Sequence, residues 1–232
     1  MTGKGLLPLA ETAAAALVWA AVVLGSAVLA LTLPVYTSAM TQALGVPASS
    51  GLSTGDVVKL SGQVRALVAD TEYDPLPATW KGAPAFDSAA VSHLMDVRSV
   101  FAGARIAVGV CALLLAVYVG WCLARRRFSA LSTGMTVGAV LLVAGMVLGL
   151  IAGLTSFEAL FAAFHGLFFA AGTWTFPADS LLIRLFPERF WAVSGGLWAG
   201  LTVLGAVALA VCARLLRTNV ATGNASRTAN NV

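Results

Sequence analysis

Charge is what this sequence most lacks. Only 10% of its 232 residues are Asp, Glu, Lys or Arg, against about one quarter in an average soluble domain. With 59% hydrophobic residues and a mean hydropathy of +0.90, the chain has too little polar surface to cover a soluble core. That excludes an ordinary cytosolic enzyme and a disordered chain, and leaves a polytopic membrane protein. The net charge of +4 and pI of 9.3 come with no basic stripe, so no nucleic-acid partner is expected. The one dense cluster, Arg125–Arg127, abuts an apolar run, as membrane orientation requires. Cysteine is scarce: Cys111, Cys122 and Cys212 all fall in apolar runs with no C-x-x-C pair, giving neither a disulfide framework nor a metal knuckle. Nucleotide loops and internal repeats are absent.

What is present is a set of long uncharged runs. Thr12–Tyr36 has 25 residues without a charge, enough to cross a hydrocarbon core about 30 Å thick. Lys4 precedes it, but the run far exceeds the roughly 7–15 residues of a secretory signal's apolar stretch, so an uncleaved anchor is expected. Ile106–Ala124 is closed by Trp121 and the three arginines, and Phe128–Phe157 holds a third run with its span over Thr133–Leu154. Phe190–Ala213, closed by Arg214 and Arg217, is the fourth. Gly134/Gly138, Gly145/Gly149 and Gly196/Gly200 have small-xxx-small spacing, read here as helix packing within the chain.

The arginines beside span ends set the orientation. Lys4, Arg125–Arg127, Arg214 and Arg217 share one side, cytoplasmic by the positive-inside rule, while nine of the ten acids fall on the other. The expected fold is an all-α membrane protein of four transmembrane helices. A small extracytoplasmic cap lies between helices 1 and 2, and an interfacial helix or loop between helices 3 and 4. The boundaries follow. A cytoplasmic amino terminus and first span cover 1–36, the cap 37–105, the second span 106–124 and a cytoplasmic loop 125–132. The third span covers 133–154, an extracytoplasmic interfacial segment 155–189, the fourth span 190–213 and a disordered cytoplasmic tail 214–232. Ala159–Ala178 is uncharged too, but as a fifth span it would put Arg214 and Arg217 outside. Phe157, Phe161, Phe164 and Phe168 recur at helical spacing, so a helix on or dipping into the outer surface is expected there. In the cap, Val57–Ala69 and Ser88–Val100 have helical patterns.

The chain has two histidines, both on the outer side. His93 lies before the second span and His165 after the third. Histidine titrates near neutral pH, which suits proton transfer. Asp96 is three residues from His93 and Glu158 seven residues before His165, so each histidine has a carboxylate on its own helical face as a candidate support. No serine sits in a nucleophile elbow. Zinc takes three or four ligands, which these two histidines and two carboxylates could supply on paper, but there is no H-E-x-x-H, and neither metal nor other cofactor is expected. A non-enzymatic transporter subunit or assembly partner is the alternative. It predicts charged residues inside the spans, which are essentially missing.

H-L-M-D-V-R-S-V-F at His93–Phe101 resembles the motif H-M-x-D-V-[KR] that precedes the second span in the lipoprotein intramolecular transacylase family of bacteria, with Leu94 where methionine is usual. Phe164–Trp191 resembles that family's second motif: a Phe-His-x-x-Phe-Phe element, then a tryptophan, an aspartate before Leu-Ile, and a Phe-Pro. The resemblance implies an acyltransferase of the bacterial cytoplasmic membrane, multi-pass, with its active site on the extracytoplasmic side. It implies transfer of the sn-2 acyl chain of a diacylglyceryl lipoprotein to the α-amine of that lipoprotein's N-terminal cysteine, giving the lyso-form. Partners are then the diacylated lipoprotein and membrane lipids. Carried over, His93 and His165 are the catalytic pair, Asp96 is supporting, and Trp174 and Asp179 have structural or substrate-contact roles.

Overall fold

The computed structural model describes the fold of residues 6–229 and the side-chain surroundings of residues 8–218. Lys4 and residues 230–232 lie outside the described residues. Within them the chain is almost wholly helical: α1 (Leu6–Ala30), α2 (Pro34–Ala43), α3 (Val46–Ser50), α4 (Thr54–Ala69), α5 (Ser88–Ala124), α6 (Phe128–Thr155), α7 (Phe157–Gly166), α8 (Leu181–Leu185) and α9 (Glu188–Ala229). A hairpin of β1 (Thr79–Trp80) and β2 (Ala83–Pro84) turns through Lys81 and Gly82, at φ 50° and 84°. Two successive positive φ values are what a two-residue turn needs to match strand twist. Pro8–Ala30 of α1, α5, α6 and Glu188–Thr218 of α9 are each long and apolar enough to cross a membrane.

Several boundaries differ from the expected ones. The run Thr12–Tyr36 is not one helix. α1 stops at Ala30, and Leu33 is extended at φ −63° and ψ 142° because the following Pro34 crowds a helical residue before it. Pro34 then opens α2, where its missing N–H costs nothing. Ser88–Val100 is not a separate cap helix but the start of α5, which continues through Arg105 into the uncharged stretch. α6 begins at Phe128 rather than Thr133. The segment expected as a disordered tail continues α9 to Ala229, since extending an existing helix is far easier than nucleating one. At ten residues, α7 is about 15 Å long, half of what a span needs, so 159–178 is not a fifth spanning helix.

The chain divides into two compact units. The first comprises Met1–Ala27, Ala107–Leu150 and Ala199–Val232. Its core includes Ala20, Cys122, Leu131, Met135, Leu142, Ala206 and Leu209. Gly134 and Gly138 of α6 face α1. A methyl at Gly138 would stand 3.0 Å from the Ala16 carbonyl oxygen and 3.2 Å from Trp19 Cβ, whereas at Gly145 or Gly149 it would meet nothing within 4 Å. Only one of these two α6 glycine pairs is therefore a packing contact within the chain. Gly138→Ala is expected to lower the melting temperature of the detergent-solubilised protein through overpacking of about 1–3 kcal/mol, and Gly149→Ala to leave it unchanged. Equal melting of the two variants would refute the contact. Glu11, charged but inside α1, accepts from Arg127 at 2.8 Å and Tyr118 at 3.2 Å. That pairing lets a carboxylate sit on an otherwise apolar helix.

The second unit comprises Val28–Ile106 and Ile151–Trp198, and holds nine of the ten acidic side chains. The two segments assigned to the outer side by charge thus fold together. Their shared core runs through Val57, Leu60, Val64 and Leu67 of α4, Ala90 and Leu94 of α5, and Leu181, Leu182 and Leu185 of α8. Leu94, the departure from the first motif, is 5% exposed and fills this core. α4 starts on Ser53, whose hydroxyl accepts from the Asp56 N–H at 3.1 Å. Its last carbonyls, orphaned as at any helix end, are taken by arginines of α5. Arg98 donates to the carbonyls of Leu67 and Asp70 while lying 4.4 Å over the Tyr73 ring, and Arg105 donates to Ala69 at 2.7 Å. Arg65 holds Asp70 in a two-pronged pair at 2.6 and 2.8 Å, which keeps the Asp70 carboxyl below the usual carboxylate range.

Candidate active site

His93 is placed by α5. The residues Ala90, His93 and Leu94 are buried at the three- and four-residue spacing of one helix face, and Ala90 and Leu94 share a core with α4 and α8. Asp87 fixes where that helix starts, its carboxylate accepting from the Ala90 N–H at 2.7 Å. The uncharged stretch of α5 that can span a membrane, Ile106–Ala124, begins about 20 Å of helix further on. His165 is placed by α7, which Ser156 caps by accepting from the Ala159 N–H at 3.2 Å. Both histidines belong to the second unit.

The fold brings them together. Their ring centroids are 6.3 Å apart with planes 26° from parallel. Aromatic side chains surround the pair. Phe169 lies 4.8 Å from His93 and 5.7 Å from His165, Phe176 lies 5.5 Å from His93, and Phe161 and Trp174 lie 4.0 and 4.8 Å from His165. His93 is 8% exposed. Removal from water pushes both imidazoles below their ordinary value of about 6.5. For His93, the neighbouring His165 adds to that depression, and Asp96 opposes it. For His165, a hydrogen bond to the backbone partly opposes it. Both rings are therefore neutral at pH 7, and each disfavours a charge on the other.

The hydrogen bonds separate the two rings. His165 Nδ1 lies 2.9 Å from the Phe161 carbonyl oxygen, one turn earlier on α7. A carbonyl only accepts, so Nδ1 carries the proton and Nε2 keeps the free lone pair. His93 Nδ1 is buried with no hydrogen-bond partner among the described residues. Trp174 Nε1 is also buried without one.

The other site residues read from the sequence fare differently. Asp96 and Glu158 are exposed and make no hydrogen bond to either ring; Asp96 reaches His93 only through its field. For Glu158 the shared helical face gives no bond because the Phe161 carbonyl of α7 already occupies Nδ1 of His165. Trp174 stands against His165. Asp179 is exposed, next to Ser180, whose hydroxyl caps α8 by accepting from the Ile183 N–H at 3.4 Å. Sequence reasoning missed Phe169, Phe176 and Arg98. The first two lie in or beside the second motif and the last in the first, but aromatic and arginine side chains carry no spacing rule that marks an enclosure or a clamp. Among the described residues, no three His, Cys, Asp or Glu side chains are grouped to hold a metal ion.

No curated protein sequence matches the chain. Among solved structures it is similar to the membrane integral lipoprotein intramolecular transacylase Lit from Bacillus cereus, solved in meso. The identity is 15% and the TM-score 0.79, covering 94% of this chain and 99% of that one. Two variants of that protein, with one histidine replaced by arginine or by alanine, align at 13% and 14% identity, both with TM-score 0.75. They cover 95% and 94% of this chain, and 96% and 97% of theirs. These likenesses establish a shared fold. The family model for the lipoprotein intramolecular transacylase Lit matches residues 13–191, and the chain accordingly belongs to the lipoprotein intramolecular transacylase family.

Proposed function

We propose that His93 and His165 carry the proton transfers of this family's reaction, in which the sn-2 acyl chain of a diacylglyceryl lipoprotein moves to the α-amine of its own N-terminal cysteine. The observation that supports this is the pairing of the only two histidines inside one aromatic enclosure. The amine nitrogen attacks the ester carbonyl carbon, a C–N bond forms, and the bond between the acyl carbon and the glyceryl oxygen breaks. His165 Nε2, the free basic nitrogen, takes the proton released from the amine and returns it to the departing glyceryl oxygen. His93 faces the same volume as a hydrogen-bond donor to the oxyanion of the tetrahedral intermediate. Donor and acceptor belong to one molecule, so proximity supplies much of the rate. A free α-amine titrates near 7.7–8.0, and an apolar enclosure favours its neutral, nucleophilic form. Asp96 tunes His93 at a distance; Trp174 packs His165 in place; Asp179 and Glu158 are left to substrate approach.

The arginine distribution supports placing the enclosure on the extracytoplasmic side, at the leaflet that holds the lipoprotein's acylated cysteine. The test uses the purified protein with a synthetic diacylated lipopeptide. Migration leaves the mass unchanged, so fragment ions must locate the chain: on the cysteine nitrogen if the reading holds, on both glyceryl oxygens if it fails. In cells carrying Thr173→Cys in a cysteine-free background, an impermeant thiol reagent should label position 173. No labelling there would place the site on the other face.

A further inference from the structure

We propose that the arginine-bearing end of the first unit holds the phosphate of an anionic phospholipid, in a cavity distinct from the histidine enclosure. The cavity, about 390 Å³, is lined by Phe128, Ser129, Ser132 and Thr133 from the start of α6 and by Leu216 and Arg217 of α9. Its lining combines a guanidinium and hydroxyls with the apolar Phe128 and Leu216, the two chemistries that meet where a lipid's phosphate joins its chains.

Arg217 is held in a fixed pose by neutral groups. Its Nε donates to Ser132 Oγ at 3.2 Å, and its Nη2 to Thr136 Oγ1 at 3.0 Å and the Ser132 carbonyl at 3.4 Å. The two hydroxyls can accept because their own protons go to helix carbonyls, Ser132 to Ser129 and Thr136 to Ser132. Nη1 makes no hydrogen bond among the described residues, and neither do the hydroxyls of Ser129 and Thr133. The two N–H groups of Nη1 and these hydroxyls are thus left as donors, which suits a phosphate oxygen.

No acid in this unit is free to answer that charge. Its sequence contains seven Lys and Arg but one acidic side chain, Glu11, and that carboxylate is already engaged by Arg127 and Tyr118. The counter-charge must come from outside the unit. Phe128 opens one candidate span, and the uncharged run of α9 ends at Ala213, four residues before Arg217, so the cavity lies at span ends, where the anion in supply is a lipid headgroup. Basic pockets between transmembrane helices on the cytoplasmic side take such headgroups.

The test is native mass spectrometry of the full-length protein in detergent, offered equal phosphatidylglycerol and phosphatidylcholine with the same chains. Preferential retention of phosphatidylglycerol is expected. Arg217→Gln should cut that preference on the order of fivefold, while Arg125→Gln should leave most of it. Since Arg217→Gln also breaks bonds to Ser132 and Thr136, Ser129→Phe provides the second variant: it fills the cavity, leaves those bonds in place, and should abolish the preference. An undiminished preference in Ser129→Phe, or no preference in the unaltered protein, overturns the proposal. Thermal stabilisation by inorganic phosphate equal to that by phosphatidylglycerol would also overturn it, showing a site for soluble anions.

Discussion

Replacing His165 by alanine is expected to lower acyl migration by about 10²–10⁴, the loss typical of a positioned general base, with the protein still inserted and helical. His93→Ala should fall by a similar factor. The double variant should be little worse than either single one, because groups acting as a unit do not add. His93 is buried, so alanine also leaves a hole. His93→Phe, which keeps a ring against Phe169 and Phe176 but offers no N–H, should be equally inactive at a higher melting temperature. The readout is the position of the acyl chain in a lipopeptide at matched enzyme and time. Full conversion by both alanine variants would sink the two-histidine mechanism. The pH dependence has a definite sign. Both imidazoles are depressed by burial, so the active neutral forms persist below pH 6.5. The rate should fall only at more acidic pH. Stability follows the same direction: below about 6.5 the unfolded chain takes up protons that the folded one refuses, so the second unit weakens as pH drops through the depressed values.

Arg98→Met should have the next largest effect. Arg98 closes the end of α4 on the carbonyls of Leu67 and Asp70, and it sits five residues from His93 on the same helix. Its loss strands half-buried carbonyls and frees the start of α5, at a cost on the order of 1–3 kcal/mol. Melting of the purified protein should drop by several degrees. The turnover rate should fall more than substrate affinity, with the acid-side inflection of the pH profile unmoved. A shifted inflection would mean that Arg98 acts on His93 electrically rather than by holding its helix.

How much of this was legible beforehand depends on the scale of the signal. Long uncharged runs and lopsided arginines dominate any local preference, so four candidate spans could be read directly. The histidines drew attention because the chain has only two, and the fold sets their rings 6.3 Å apart. What failed was local: Pro34 splits a run that hydropathy alone treats as continuous, and α5 passes unbroken through Arg98 and Arg105 because both guanidinia are spent on α4. Glu158 makes no hydrogen bond to His165 for a different reason. Spacing says which residues share a face, not whether a backbone carbonyl has already claimed the ring nitrogen, as that of Phe161 has for His165.

The phenyl rings around the two imidazoles also bear on fidelity. A base that activates an amine can also activate water, and hydrolysis of the ester would release a free fatty acid and leave a damaged lipoprotein. Phe161, Phe169 and Phe176 offer no lone pair and no N–H or O–H with which to seat a solvent molecule beside His93 and His165. Nor does the transfer need one: amine plus ester and amide plus alcohol hold the same number of protons, so a cycle can open and close without exchange with bulk water. Under the proposed two-histidine mechanism, these phenyl faces work against water and leave the advantage to the nucleophile that arrives tethered to its own acyl donor.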